Sequence, residues 1–448
     1  MQKAQLFATL SEALAAQDKP AIRAAYEQMH AADFATVVNE FDAQITAKLL
    51  ALLALPDHAE VFVYLDPQTQ ASIAENMPRN ELAALFSQME SDERADLFNQ
   101  LSQDQQQALL PGLAQAERED VRRLASYPEK TAGAMMSSDY ATLRSHWSVR
   151  KALQRLRLEA PDKETIYQTY VIDGERQLVG TISLRELILS NPDRLVADIM
   201  LTEVLSVRVD EAQEAVSNKI RHYDLIALPV IDQHDRLVGI CTYDDAMDAV
   251  VEEATEDAQK SGSVAALETT MDKVGKWELY RKRIGWLILL VFGSLLSGAG
   301  IAHFETLIAA HVALVFFMPL LVGAGGNAGS QAAALMVRAL ATGEVETKDW
   351  FSVLAREVLV AAALGITMGA VVAGLGWFRG GMDIAIVVTM AMICVVMAGS
   401  LIGLSLPFIL SKVNLDPATA SGPLVTTIVD ATGVVIYLGF ASMLIGLP

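Results

Sequence analysis

Long apolar runs fill the last third of the chain, and short ones at helical spacing fill the first. Five apolar segments, at about 284–304, 311–338, 354–378, 384–410 and 418–447, each reach the roughly 20 residues that a helix needs to cross a bilayer core. Residues 1–130 alternate apolar and polar positions instead, and Leu65, Met77, Met89, Leu101 and Leu113 recur with a period of 12. Turn or cap residues follow several of them ("LDPQ", "MPRN", "MESD", "LSQD"), and a Pro or Ser there marks a helix start. Short helices at a fixed period predict a small solenoid, each unit burying its face on its neighbours.

A second repeat lies between these regions. "VIDGERQLVGTISLRELI" begins at Val171 and "VIDQHDRLVGICTYDDAM" at Val230, an offset of 59 residues. Each copy predicts a strand, a polar turn, a second strand and a helix opened by Ser183 or Thr242. This tandem unit resembles a CBS-domain pair, a regulatory module that binds small ligands. The resemblance implies a ribose-holding pattern Gly-x-x-Thr/Ser-x-x-Asp, which Gly239, Thr242 and Asp245 complete; the first copy has Glu186 in place of the Asp. An adenine nucleotide such as ATP is therefore expected only at the second copy, at Thr242 and Asp245.

Charge separates the halves as sharply as hydropathy does. The chain of 448 residues carries a formal net charge of -20 and is 52% hydrophobic, with a mean hydropathy of +0.31. Residues 1–272 carry -21 and the remainder +1. An acidic surface of that size repels nucleic acid and attracts cations. Two cysteines, Cys241 and Cys394, build no disulfide framework. The N-terminus lacks the apolar core of a secretory signal, so the first domain is expected in the cytosol. With neither a Gly-x-x-x-x-Gly-Lys loop nor a paired nucleophile and base, no enzyme and no nucleotide-driven pump is expected.

Lys and Arg give the membrane half an orientation. Lys273, Lys276, Arg281, Lys282 and Arg283 precede the first apolar segment, and Arg338, Lys348 and Arg356 cluster between the second and third. This alternation predicts a multi-pass membrane protein with its N-terminus in the cytosol and its C-terminus outside, expected in the plasma (inner) membrane. Inside the last segment stands Asp430, 13 residues after Pro417, or roughly 20 Å along a helix. An acid near the bilayer centre costs at least about 2.5–3.5 kcal/mol. No segment interior holds a Lys or Arg to pair with it, so a cation is the expected countercharge. Carboxylate and carbonyl oxygens suit a hard divalent ion. Pro423 in "SGPLVTT" is expected to disturb the helix and free carbonyls. In "PLLVGAGGNAGSQAAAL", residues Gly325, Gly326 and Gly329 are expected to pack closely or unwind, with Asn327 and Gln331 four apart on one helix face that can line a pore.

The motifs "GGNAGSQ" (325–331), "DPATASGPLVTTIVD" (416–430) and "ATEDAQK" (254–260), behind a CBS pair and an acidic helical N-domain, resemble the MgtE family of magnesium channels over nearly the whole chain. The resemblance implies a multidomain fold. It comprises an α-helical solenoid-like N-domain (1–130), tandem α/β CBS domains (131–198 and 199–253), a connecting plug helix (254–282) and a five-helix transmembrane domain (283–448). It also implies a homodimer through the membrane and CBS domains, within lipid, whose pore Mg2+ is held by Asp430. Regulatory Mg2+ would be held by Asp92, Asp96, Asp224, Asp245, Asp248, Glu253, Glu256, Asp257 and Asp416, with Glu60 and Glu214 as further positions. Cytosolic Mg2+ would then close the channel. A coupled or broader divalent carrier for Mn, Co or Ni, and a non-transporting membrane-tethered sensor, remain competing readings.

Overall fold

A computed structural model describes residues 3–267, 271, 274–413 and 415–446, in two compact units, Met1–Glu252 and Glu253–Pro448. Lys273, one of the expected basic residues, lies outside the described residues.

The solenoid opens the first unit. Its helices run from Lys3–Ala15 to Gln115–Leu124, and after the first all are between 7 and 10 residues long. Their starts are set locally: the Asp18 and Asp42 carboxylates accept from the N–H groups of Ala21 and Ile45, and Pro67 opens the helix Pro67–Asn76. Alternate helices stack, so Leu55–Val63 packs against both Ala31–Val38 and Arg79–Phe86. Phe34, Phe62 and Phe86, fully buried, form the spine of that stack. The residues of the 12-residue period lie at the helix junctions: Leu65, Met89, Leu101 and Leu113 are buried and Met77 is partly so.

The two CBS copies share one topology. Strands β1 (Tyr140–Leu143), β2 (Thr165–Ile172) and β3 (Leu178–Ser183) form a sheet in that order, parallel then antiparallel. Strands β4 (Val207–Arg208), β5 (Ala227–Ile231) and β6 (Leu237–Thr242) repeat it. Tyr170 and Ile172 of one sheet meet Ala227, Leu237 and Ile240 of the other in a shared apolar core. In the first copy, Glu186 caps its own helix, its Oε2 accepting from the Ser183 N–H and hydroxyl at 3.0 and 2.9 Å.

In the second unit the apolar segments are helices: Lys276–His303, Ala313–Ala341, the run Trp350–Lys412, and Gly422–Ile445. The long run is two helices meeting at Gly381, whose φ of 80° lies where glycine costs least. Two local expectations are corrected, and the choice left open between close packing and unwinding is decided. The stretch around Pro319 and Gly325 does not unwind; it lies inside the continuous helix Ala313–Ala341. There, Gly325 and Gly329 press against Val395 and the Gly399 carbonyl, so packing of small residues holds the backbone helical. Pro423 disturbs nothing, because it sits in the first turn, where its missing N–H is no loss. The Gly422 and Pro423 carbonyls accept from the Thr426 and Thr427 hydroxyls at 2.6 and 2.9 Å. Finally, no single helix spans 254–282: one helix runs Tyr243–Ser261 and stops at Gly262 and Ser263, whose φ is 58°, and Lys276 already begins the first apolar helix.

Candidate cation sites

Carboxylates crowd together where the solenoid meets the CBS pair. The helix Ser91–Gln100 places Glu90 and Asp92 at its start, and Ser91 anchors it by accepting from the Ser138 N–H at 2.8 Å and bonding the Ser137 hydroxyl at 3.0 Å. Carboxylate oxygens of Glu90, Asp92 and Glu164 lie within 4.8 Å of one another, as do those of Glu164, Asp244 and Asp245. Glu164, just before β2, therefore belongs to both groups. Asp92 is only 8% exposed, and its Oδ1 and the Glu164 Oε2 are buried with no hydrogen-bond partner. Asp245 accepts from the Thr242 hydroxyl at 2.6 Å.

The electrostatic cost shows in the acidities. Burial, then the charges of Asp245 and Glu164, raises Asp92 well above the carboxylate range. Burial pushes Glu164 up to about 8 against a hydrogen bond from Ser137, and Asp245 up to about 7 against the one from Thr242. An all-oxygen set with orphaned buried lone pairs has the chemistry of a hard divalent ion, which would satisfy those atoms and cancel the repulsion.

The second unit holds a different arrangement. Asp416 caps the short turn Pro417–Thr419, its Oδ1 accepting from the Ala418 N–H at 2.8 Å. Its Oδ2 is bonded by the Lys260 ammonium, which also reaches the Glu256 Oε1 at 2.6 Å. Burial would lower the basicity of Lys260, but its bonds to Asp416 and Glu256 outweigh this and raise it. Burial and then the charge of Asp416 raise the neighbouring Asp257.

Asp430 stands apart from both. It lies eight residues after Gly422, about 12 Å into the helix and about one and a half turns earlier than a start at Pro417 predicts. A Cβ placed on Gly326 would lie 3.8 Å from its Oδ1, so this carboxylate faces the glycine-rich helix. No ion pair joins it to any described residue. Asn327 and Gln331 share an exposed face of that helix.

The expected residues are thus sorted. Asp92 and Asp245 meet; Glu256, Asp257 and Asp416 gather around Lys260. Asp96 is exposed beside Glu129 and Glu252. Asp224 is an exposed turn residue with φ 52°, and Asp248 lies near Asp244. Glu60 accepts from the Tyr26 hydroxyl at 2.8 Å; Glu214 is exposed and Glu253 half-buried. Glu90, Glu164 and Lys260 were not anticipated. Glu164 sits in "PDKETIY", an ordinary polar turn, and only the fold brings it to Asp92.

Three family models match along the chain. MgtE, described as a divalent cation transporter, matches 318–440; the MgtE intracellular N domain matches 29–130; and CBS domains match 132–191 and 196–252. The magnesium transporter MgtE of Thermus thermophilus is 36% identical over 98% of this chain and 99% of its own. That of Bacillus subtilis is 34% identical over 94% of each. A crystal structure of the cytosolic domain of the Mg2+ channel MgtE in complex with ATP covers 54% of this chain and 99% of its own, at 36% identity and a TM-score of 0.52. A lone acid in an apolar helix, clustered acids on a CBS pair and relatives spanning both units lead to one conclusion: the chain belongs to the MgtE family of divalent cation transporters.

Proposed function

We propose that the protein is a passive magnesium channel that cytosolic Mg2+ closes. The observation that carries this reading is the pair of buried, unpartnered oxygens, Asp92 Oδ1 and Glu164 Oε2, in a cluster with no lysine or arginine in ion-pair reach among the described residues. Without a divalent ion, repulsion favours separating the helix Ser91–Gln100 from Thr242 and Asp245. With one bound, the same oxygens become ligands and hold the elements together. Asp96, Asp224, Asp248, Glu253, Glu256, Asp257 and Asp416, with Glu60 and Glu214, are the further regulatory positions.

In the membrane, Asp430 acts as the pore ligand, with Asn327 and Gln331 lining the path between two copies of the chain in a homodimer. A divalent cation moving inward gains about 4.6 kcal/mol per 100 mV, enough to drive uptake without fuel. The N-terminal unit faces the cytosol, the C-terminus faces outside, and residues 254–282 serve as the plug. The relative crystallised with ATP supports a nucleotide at the CBS pair. At Thr242 and Asp245 it would stand among carboxylates, and so would bind as its magnesium complex.

The test is Mg2+ flux into vesicles containing the full chain, together with proteolytic protection of residues 244–275 against Mg2+ concentration. A current reversing near the magnesium equilibrium potential and protection rising with Mg2+ are expected. Strict dependence on a sodium gradient would point to a coupled carrier. Normal uptake by Asp430→Ala in a strain lacking other magnesium routes would point to a sensor.

A further inference from the structure

We propose that Lys260 is a tethered counter-cation. Its ammonium occupies the carboxylates that a regulatory divalent ion must take, and so sets the concentration at which the end of the helix Tyr243–Ser261 is captured. This rests on the reading that Asp416 helps to bind such an ion.

The geometry leaves Asp416 little choice. Its Oδ1 is committed to the Ala418 N–H at 2.8 Å, and its carbonyl accepts from the Thr419 hydroxyl at 2.6 Å, so this carboxylate is fixed in place. Its Oδ2 is held by Lys260, which bonds Glu256 Oε1 at 2.6 Å with the same ammonium. Asp257 lies close enough for the charges of Asp416 and Lys260 to act on it. An ion reaching Asp416 Oδ2 would therefore meet a positive charge on the same oxygen. At such separations two cations repel strongly in a partly buried site, so ion and ammonium exclude one another. The lysine side chain is 24% exposed, and its stem gives the ammonium room to swing into solvent when displaced.

The rest of the contact does not depend on the lysine. The Ser263 and Ser421 hydroxyls, both in buried residues, are 2.6 Å apart. The Leu267 N–H donates to Gln259 Oε1 at 2.8 Å. Removing the ammonium thus leaves the helix end a seat, but one that has lost the ion pairs from Lys260 to Glu256 and Asp416. Two opposite effects follow. With no divalent ion, the seat weakens; with divalent ion, it fills at lower concentration, because nothing has to be displaced. A monovalent ammonium in this place also makes the displacing ion one of higher charge, which gives the switch a threshold.

The experiment uses the full chain in lipid nanodiscs and chymotrypsin, which does not cut at lysine, with protection of 244–275 read against Mg2+. Lys260→Met is expected to lower the midpoint by about fivefold and to give less protection than the parent in chelator. Lys260→Gln should behave alike, and Lys260→Arg, which keeps the charge, should stay near the parent. An unchanged or raised midpoint in both neutral variants, with thermal melting of the folded chain intact, overturns the proposal while leaving Mg2+ gating in place. A parent chain with no Mg2+-dependent protection overturns the gating reading itself, and this proposal with it.

Discussion

In the first unit Glu90, Asp92, Glu164, Asp244 and Asp245 converge with no lysine or arginine in ion-pair reach among the described residues, and two of their oxygens are buried without partners. In the second unit Asp416 is also fixed in place, but Lys260 balances it. The first arrangement stores repulsion that an outside cation, or protonation of the carboxylates, relieves. The second has an internal cation and yields to an outside one by exchange. The same ion should therefore add stability in the first unit and replace an existing contact in the second. Asp430 is a third case: an acid on an apolar helix, in no ion pair with a described residue, which the proposed reading assigns to passage rather than holding.

Each contrast can be broken. The largest effect is expected at Asp430: Asp430→Asn keeps the shape, removes the charge and should reduce Mg2+ uptake to background in a strain lacking other magnesium routes, while Mg2+-induced protection of 244–275 persists. Loss of both together would mean the substitution disturbs the whole chain.

Next comes Glu164, which the two acidic groups share. Glu164→Gln should weaken Mg2+ binding to the first unit by about 10- to 100-fold, measured as the rise in melting temperature with Mg2+. In chelator the variant should melt no lower than the parent, since one repelling charge is gone. An unchanged Mg2+ response would remove Glu164 from the site.

Acidity offers a graded test. The folded-state values of about 8 for Glu164 and about 7 for Asp245 lie above the ordinary values of 4.5 and 3.8. In chelator their ionisation opposes folding, so the first unit should gain stability as pH falls from above 8 towards 5. The protons gained are the ones an ion must displace. The rise in melting temperature caused by Mg2+ should accordingly be greatest above pH 8 and shrink as pH falls through 7. A rise that is constant with pH would mean the ion binds elsewhere.

The smallest effect concerns packing alone. A Cβ on Gly403 would run into the Gly329 carbonyl, so Gly403→Ala should cost about 1–3 kcal/mol. It should lower the melting temperature of the second unit in detergent and leave Mg2+ binding by the first unchanged.

Much of this was legible along the chain, for reasons that differ by region. The solenoid period was visible because a Leu or Met recurs at each junction from Leu65 to Leu113, and a local rule suffices where contacts are between neighbours. The CBS pair was visible because one 59-residue pattern occurs twice. The apolar helices declared themselves by length. Helix ends were less legible: Pro423 reads as a disturbance until one sees that it opens the helix, and Gly325 and Gly329 read as weak points until Val395 and Gly399 are found against them.

The sequence by itself determined the elements, the separation of charge between the halves, and the lone acid at Asp430, because periodicity, length and composition are properties of neighbours along the chain. The tertiary structure alone decided which acids share a site. Glu164 is 72 residues from Asp92 and Lys260 is 156 from Asp416, and no local pattern encodes a meeting across such distances. Burial, which leaves Asp92 Oδ1 and Glu164 Oε2 unpartnered, is likewise a property of packing, and it is what makes the acidic cluster a candidate place for a divalent ion.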